Sequence, residues 1–213
     1  MNTFTSSWLA LGLSAAFAMH GVAAQASDLS YSFTGVVLDD EAERGWTNFS
    51  GSFTFSDSVL DGIPDTSTAA YAHTGAPYGM TVTFDGADTV TINQVFNILI
   101  SNNLGGMDEL GALAQNNAHT RALGLTLTDF NQAIFASDAL PLPAGGLKLS
   151  DFGWSSFYYE APAGRLQGKL TSFACSTGCN VAPPLPVPEP GTWVLLLAGL
   201  VGISARVRRY TQH

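Results

Sequence analysis

The feature that most constrains this chain is a period of two. In residues 49–55, Phe49, Gly51, Phe53 and Phe55 fall on one side, and Ser50, Ser52 and Thr54 on the other. Met80, Val82 and Phe84 oppose Thr81 and Thr83. Val90, Ile92, Phe96, Ile98 and Ile100 stay in phase, with Gln94 the exception, and Leu123, Leu125 and Leu127 align. Leu166, Gly168 and Leu170 oppose Arg165, Gln167 and Lys169. Such alternation, bounded by Gly, Asn, Asp and Pro, marks half-buried strands.

Residues 30–38 predict a first strand and 152–159 another. Asp85-Gly86 predicts a hairpin turn, because both residues tolerate positive φ. The segment MDELGALAQNNA (107–118) predicts a short helix or an excursion between strands, and SDALPLPAGG (137–146) a loop. Seven or eight short strands with little helical periodicity predict an all-β fold, an antiparallel β-sandwich of jelly-roll type. Abundant glycine and a hydrophobic content of 46% agree with such a core.

Both ends of the chain read differently. Trp8 to Met19 is apolar apart from Ser14, and Ala24-Gln25-Ala26 follows as an A-x-A cleavage site. This predicts a signal peptide over residues 1–26, forming an N-terminal signal helix, although a basic n-region is missing. Export makes Cys175 and Cys179 a small disulfide loop, with Gly178 allowing the turn. At the other end, residues 191–207 form an apolar run at the lower limit of spanning length and predict a transmembrane helix in contact with lipid. Arg206, Arg208 and Arg209 follow it as a stop-transfer signal and open a basic cytoplasmic tail, residues 208–213. Ahead of it, residues 181–190 are a proline-rich linker held extended. The ectodomain is then residues 27–180.

The net charge is −9, and three of the eight cationic residues cluster at residues 206–209. The acidic body excludes nucleic acid as a partner, since a phosphate backbone needs cationic neutralisation.

Val187-Pro188-Glu189-Pro190, the apolar run and the Arg206-Val207-Arg208-Arg209 cluster together resemble the PEP-CTERM sorting signal. The same motif also carries an ice-binding-protein C-terminal label. The resemblance implies an exosortase-type processing enzyme as partner, removal of the helix, and delivery from transient inner-membrane anchoring to the cell surface or extracellular matrix. The Gly51-x-Phe53-x-Phe55 strand and the closing Gly168-x-Leu170-Thr171 strand are also similar to ectodomains that accompany this signal. A regular Thr-x-Thr ladder is not visible beyond Thr81/Thr83 and Thr89/Thr91.

Chemistry is sparse. No G-x-S-x-G or H-E-x-x-H occurs, and His73 and His119 read as surface or turn residues. Clustered acids stand at Asp39, Asp40, Glu41 and Glu43, and again at Asp57, Asp61 and Asp65. The second group is the metal candidate, with calcium the one cofactor its oxygen donors suit; a polar turn is the other reading. Paired carboxylates also serve glycoside hydrolysis when suitably spaced. Trp46, Trp154, Tyr158 and Tyr159 read as core filling, or as aromatic faces for sugars or proteins. The expected function is therefore a non-enzymatic exported protein, structural or adhesive in an exopolysaccharide or biofilm matrix. A carbohydrate-binding module and a surface polysaccharide hydrolase are the alternatives.

Overall fold

The computed structural model describes residues 28–140, 142 and 145–179. The expected signal helix, linker, transmembrane helix and basic tail lie outside these residues. Among the described residues ten strands form in chain order: β1 (Asp28–Asp40), β2 (Asn48–Ser56), β3 (Thr68–His73), β4 (Gly79–Phe84), β5 (Asp88–Ile92), β6 (Val95–Leu104), β7 (Met107–Gln115), β8 (Ala122–Asp129), β9 (Trp154–Ala161) and β10 (Gly164–Thr177).

All ten belong to one sheet, ordered β3-β6-β7-β8-β9-β10-β1-β2-β4-β5, and the pairing is antiparallel. The expected all-β class and antiparallel pairing are present, but not as two separate sheets. One continuous sheet curls over its own inner face. The bend accompanies β1 and β10, whose register shifts at Ser30/Tyr31, Thr34/Gly35 and Val37/Asp39. Bulges of this kind bend a strand and raise its twist. The curl brings Phe53 of β2 against Phe96 of β6, ring centroids 5.9 Å apart.

The core is the inner set of the alternation. Tyr31 stacks on Phe173 at 4.9 Å and Phe53 at 5.5 Å, and Phe49 stacks on Phe157 at 4.1 Å. Glycines opposite these rings make the room. The Phe33 ring lies on Gly51, where a Cβ would fall 2.6 Å from both Phe33 Cζ and the Thr81 carbonyl. The Asp85-Gly86 turn has the expected left-handed backbone, φ 45° and 72°.

Two strands depart from the sequence reading. Residues 107–115 form β7, neither helix nor excursion, with Asp108, Leu110, Ala112 and Ala114 facing inward. Cross-strand pairing with β6 and β8 overrides the helix preference of Leu, Ala and Glu. The run read as one phase from Val90 to Ile100 is split between β5 and β6.

The long connection after β8 also joins the core, through Phe135, Leu142, Leu147 and Phe152. Asp108 holds it. This buried carboxylate accepts backbone N–H bonds from Ile134 (3.0 Å) and Phe135 (3.0 Å) on one oxygen, and from Asn103 (2.9 Å) on the other. The hydroxyls of Tyr71 and Tyr31 accept from the N–H of Leu140 and Leu147, at 3.1 and 3.3 Å.

Candidate functional site

The outward set of the same alternation makes a surface of small hydroxyls across β10, β1, β2, β4 and β5. The pairing registers align them in rows. One row runs Ser172, Thr34, Ser50, Thr83, Thr89. The next runs Ser32, Ser52, Thr81, Thr91. Ser30 and Thr54 begin a third. Strand spacing places neighbours within a row about 4.8 Å apart, and rows about 6.8 Å apart.

Cross-strand hydrogen bonds tie the rows. Ser30 and Thr54 hydroxyls lie 2.8 Å apart, Thr81 and Thr91 3.0 Å, and Thr83 and Thr89 2.9 Å. Thr34 reaches Ser172 at 2.7 Å and Thr171 at 2.9 Å. Each hydroxyl has one donor and two acceptor sites. A bonded pair uses one donor and one acceptor, so each pair keeps a donor and several acceptors for an outside partner. The Thr-x-Thr pairs legible in the sequence are thus the β4–β5 part of a broader face, completed by serines on β2 and β1.

Asp85 closes one margin. Its carboxylate accepts from the N–H of Asn48 (2.9 Å) and Thr47 (3.0 Å) and from the Thr47 hydroxyl (3.0 Å). These bonds, led by that of Asn48, hold the group below the usual carboxylate range. A shallow depression of about 480 Å³ lies between this turn and β10, lined by Thr34, Asn48, Ser50, Thr83, Asp85 and Thr171 among others. A second, about 320 Å³, opens over Ser32, Ser50, Ser52 and Thr81.

The other candidate residues are dispersed. Asp61 accepts from the N–H of Ile63 and Ala70, both at 2.9 Å. Asp65 accepts from Ser67 N–H (2.7 Å) and hydroxyl (2.6 Å), which lowers its pKa. Among the described residues no three His, Cys, Asp or Glu side chains, Asp57 included, come together as metal donors. Asp40 pairs with Arg44, whose other nitrogen donates to the Gly164 carbonyl at 2.9 Å; Glu41 accepts from Arg165 N–H at 3.0 Å.

His119 lies in an exposed turn, but His73 is buried, contrary to its surface reading. Its Nε2 accepts from Ser56 N–H at 3.0 Å and its ring lies 4.9 Å from that of Tyr78. It falls in the inward phase of β3, a strand whose alanines gave little signal. Tyr159 is buried. Trp46 stacks on Phe84 at 4.2 Å and donates its indole N–H to Asp88 at 2.9 Å. Trp154 stands 48% exposed near Phe130, itself 59% exposed. Tyr158 covers Gly124, with the Arg165 guanidinium 4.8 Å from its ring centroid.

Cys175 and Cys179 are disulfide-bonded. Gly178 turns the loop at φ 85°, and Gly145 N–H donates to the Cys179 carbonyl at 3.0 Å. Ala24, Ala26, Val187, Pro188, Glu189, Pro190, Arg206, Arg208 and Arg209 lie outside the described residues.

No curated protein and no solved structure matches the chain. A family model does: residues 186–209 match the PEP-CTERM protein-sorting motif. That segment contains the Pro-Glu-Pro, the apolar run and all three terminal arginines, so the chain carries a PEP-CTERM sorting signal, which supports exosortase processing, export and sorting to the cell surface.

Proposed function

We propose that the exported domain is a non-enzymatic structural or adhesive protein of an exopolysaccharide matrix, and that it meets polysaccharide through the hydroxyl face of β10, β1, β2, β4 and β5. One observation carries this reading: a five-strand face of aligned Ser and Thr with no charged side chain in its rows. A neutral polyhydroxyl polymer offers donors and acceptors in return. Each contact is weak, but many recur along one polymer, so they add through effective concentration. The span over residues 191–207 holds the chain in the inner membrane until exosortase acts, and the released domain passes to the matrix.

The test is co-sedimentation of the exported protein with the host's own exopolysaccharide. Changing Ser50→Glu and Ser52→Glu together places two carboxylates on exposed positions of β2 without touching the core. The expected result is at least a tenfold loss of bound protein with an unchanged melting temperature. Equal binding by the double variant removes the face from the account.

A glycan-selective binding module is the second reading, favoured by exposed Trp154 and Phe130 at the β8–β9 end. Aromatic faces of that kind stack on sugar rings. A glycan array with Trp154→Ala decides: one selected glycan, lost in the variant, replaces the first reading with the second.

A further inference from the structure

The two edges of the sheet are treated differently. At the β3 edge, Ala70 accepts from Gly62 N–H at 2.9 Å and gives its own N–H to Asp61 at 2.9 Å. The chain thus covers the middle of that edge with its own loop. At the β5 edge no described residue takes the outward backbone groups of Asp88–Ile92. Nor does β5 carry the usual protections, since it holds no Lys, no Pro and no bulge.

The sequence of β5 also suits a particular partner. Its centre reads Thr89-Val90-Thr91, which is the same in both directions. On its paired side it already meets a second Thr-Val-Thr antiparallel: Thr81↔Thr91, Val82↔Val90, Thr83↔Thr89. The threonines of that pair are hydrogen-bonded at 3.0 and 2.9 Å. The fold therefore contains a worked instance of this tripeptide pairing with its own kind.

We propose that β5 is a self-association edge, pairing antiparallel with β5 of a second copy in the register centred on Val90. Thr89 then opposes Thr91 of the other copy, and Val90 opposes Val90. This repeats on the open side the arrangement seen on the closed side. Charge agrees with the register. Asp88 is the only charge on the strand, and Trp46 N–H already engages it. In this register the two Asp88 residues sit at opposite ends, about 13 Å apart along the strands, each opposite Ile92. A parallel pairing, or an antiparallel one centred nearer Asp88, brings them closer in a chain that is already acidic. A two-fold axis through the Val90 pair keeps both outer faces on one side, so the threonine rows of the two copies run on into each other. The contact is independent of what that face binds. It is also short, so it belongs to the weak, transient class of interface and is favoured where chains crowd on a surface.

The test is disulfide trapping of the full chain expressed in its own host, because native Cys175 and Cys179 are already joined to each other. Opposed residues in such a pair lie about 4.5–5.5 Å apart at Cα, within reach of a disulfide. The Val90→Cys chain should give a dimer band on a non-reducing gel after mild oxidation, lost when Thr91→Lys is added. Leu38→Cys, exposed elsewhere, should give none. A second pair of variants fixes the register without touching the half-buried Val90: Thr89→Cys and Thr91→Cys should each stay monomeric alone and cross-link when produced together. No dimer with Val90→Cys and none with the mixed pair overturns the proposal. Cross-linking by Thr89→Cys alone overturns the register, and with it the argument from Thr-Val-Thr.

Discussion

The ring of Phe49 lies directly on Gly35, its cross-strand partner in β1. A Cβ at Gly35 would run into that ring and stand 2.6 Å from the Lys169 carbonyl. The glycine is there for space, and the aromatic ring covers the backbone it leaves bare. Gly35→Ala should therefore destabilise the domain by about 2–3 kcal/mol, the upper part of the usual range for overpacking a filled core. In a domain of this size that lowers the melting temperature by about 5–10 °C. Thermal unfolding followed by near-ultraviolet circular dichroism measures it. A variant melting with wild type would mean the ring moves aside freely.

Asp108 is the interior polar group that ties the start of the long connection to the end of β6. Three backbone N–H groups end on its two oxygens. Asp108→Ala leaves all three without their partner, and buried donors without acceptors cost about 1–3 kcal/mol each before relaxation. The expected loss is about 3 kcal/mol. Amide hydrogen exchange should show where it falls: Asn103, Ile134 and Phe135 should lose protection first. Protection at those amides unchanged from wild type would show that Asp108 does not hold the connection.

Acid should loosen the connection turns before the strands. Asp65, Asp85 and Asp129 are each held below the usual carboxylate range, chiefly by hydrogen bonds from Ser67, by the N–H of Asn48, and by the N–H of Ala133 respectively. A carboxyl whose folded pKa lies below its unfolded value stabilises the fold above the unfolded value, about 3.9. That stabilisation fades as pH falls through the folded value. Stability should thus be flat from neutrality down to about pH 5 and decline below about pH 4. Denaturant titrations across this range test it, and Asp85→Asn should reduce the slope. A maximum in stability below pH 4 contradicts the sign.

The disulfide closes a loop with a sequence separation of 4, so chain entropy alone gives it about 2 kcal/mol. Its position adds to this. Cys175 and Cys179 pack on Gly146, and Gly178 packs against the Asp28 carbonyl at the start of β1. The bond therefore ties the last strand to the first strand and to the connection before β9. Replacing both cysteines by serine should lower stability by about 2 kcal/mol and free the C-terminal end of β10 for proteolysis. Limited proteolysis of the two forms compares them. Equal cleavage rates would leave the bond without a structural role.

What the sequence shows of this fold follows from side-chain size. β2, β4 and β8 announce themselves because large apolar residues alternate with Ser and Thr. β3 and β7 do not, because alanines stand in both phases of β3 and in half of the inward phase of β7, and a small side chain leaves little contrast with its neighbours. Asp108 was hidden for a related reason: it occupies an inward position where alternation expects an apolar residue, and its three donors come from segments near residues 103 and 134. The hydroxyl face was half legible. The serines and threonines are plain in the sequence, but their alignment into rows depends on the order β10-β1-β2-β4-β5, which no local pattern encodes. The C-terminal sorting motif, by contrast, was legible, since it is read as a linear peptide and needs no fold.

That peptide supports the last prediction. Residues 186–209 match the sorting motif, and Glu189 is its single acidic residue, set between Pro188 and Pro190. Prolines fix φ and disfavour helix in the residue before them, so the sequence around Glu189 favours extended chain ahead of the apolar run. An apolar run of about 17 residues is barely long enough to span, which suits temporary rather than permanent anchoring. In the proposed anchoring, the arginines beyond it would hold that end on the cytoplasmic side and leave Glu189 outside, within reach of a membrane enzyme. Glu189→Ala should leave an untrimmed species in the inner membrane and reduce the surface or matrix protein by about tenfold, the loss of one charged recognition contact. Glu189→Asp should restore part of it, because the charge remains on a shorter arm. Fractionation and intact mass measurement of the three forms read the outcome. An alanine variant trimmed and delivered like wild type would separate sorting from Glu189 and make the prolines a simple spacer.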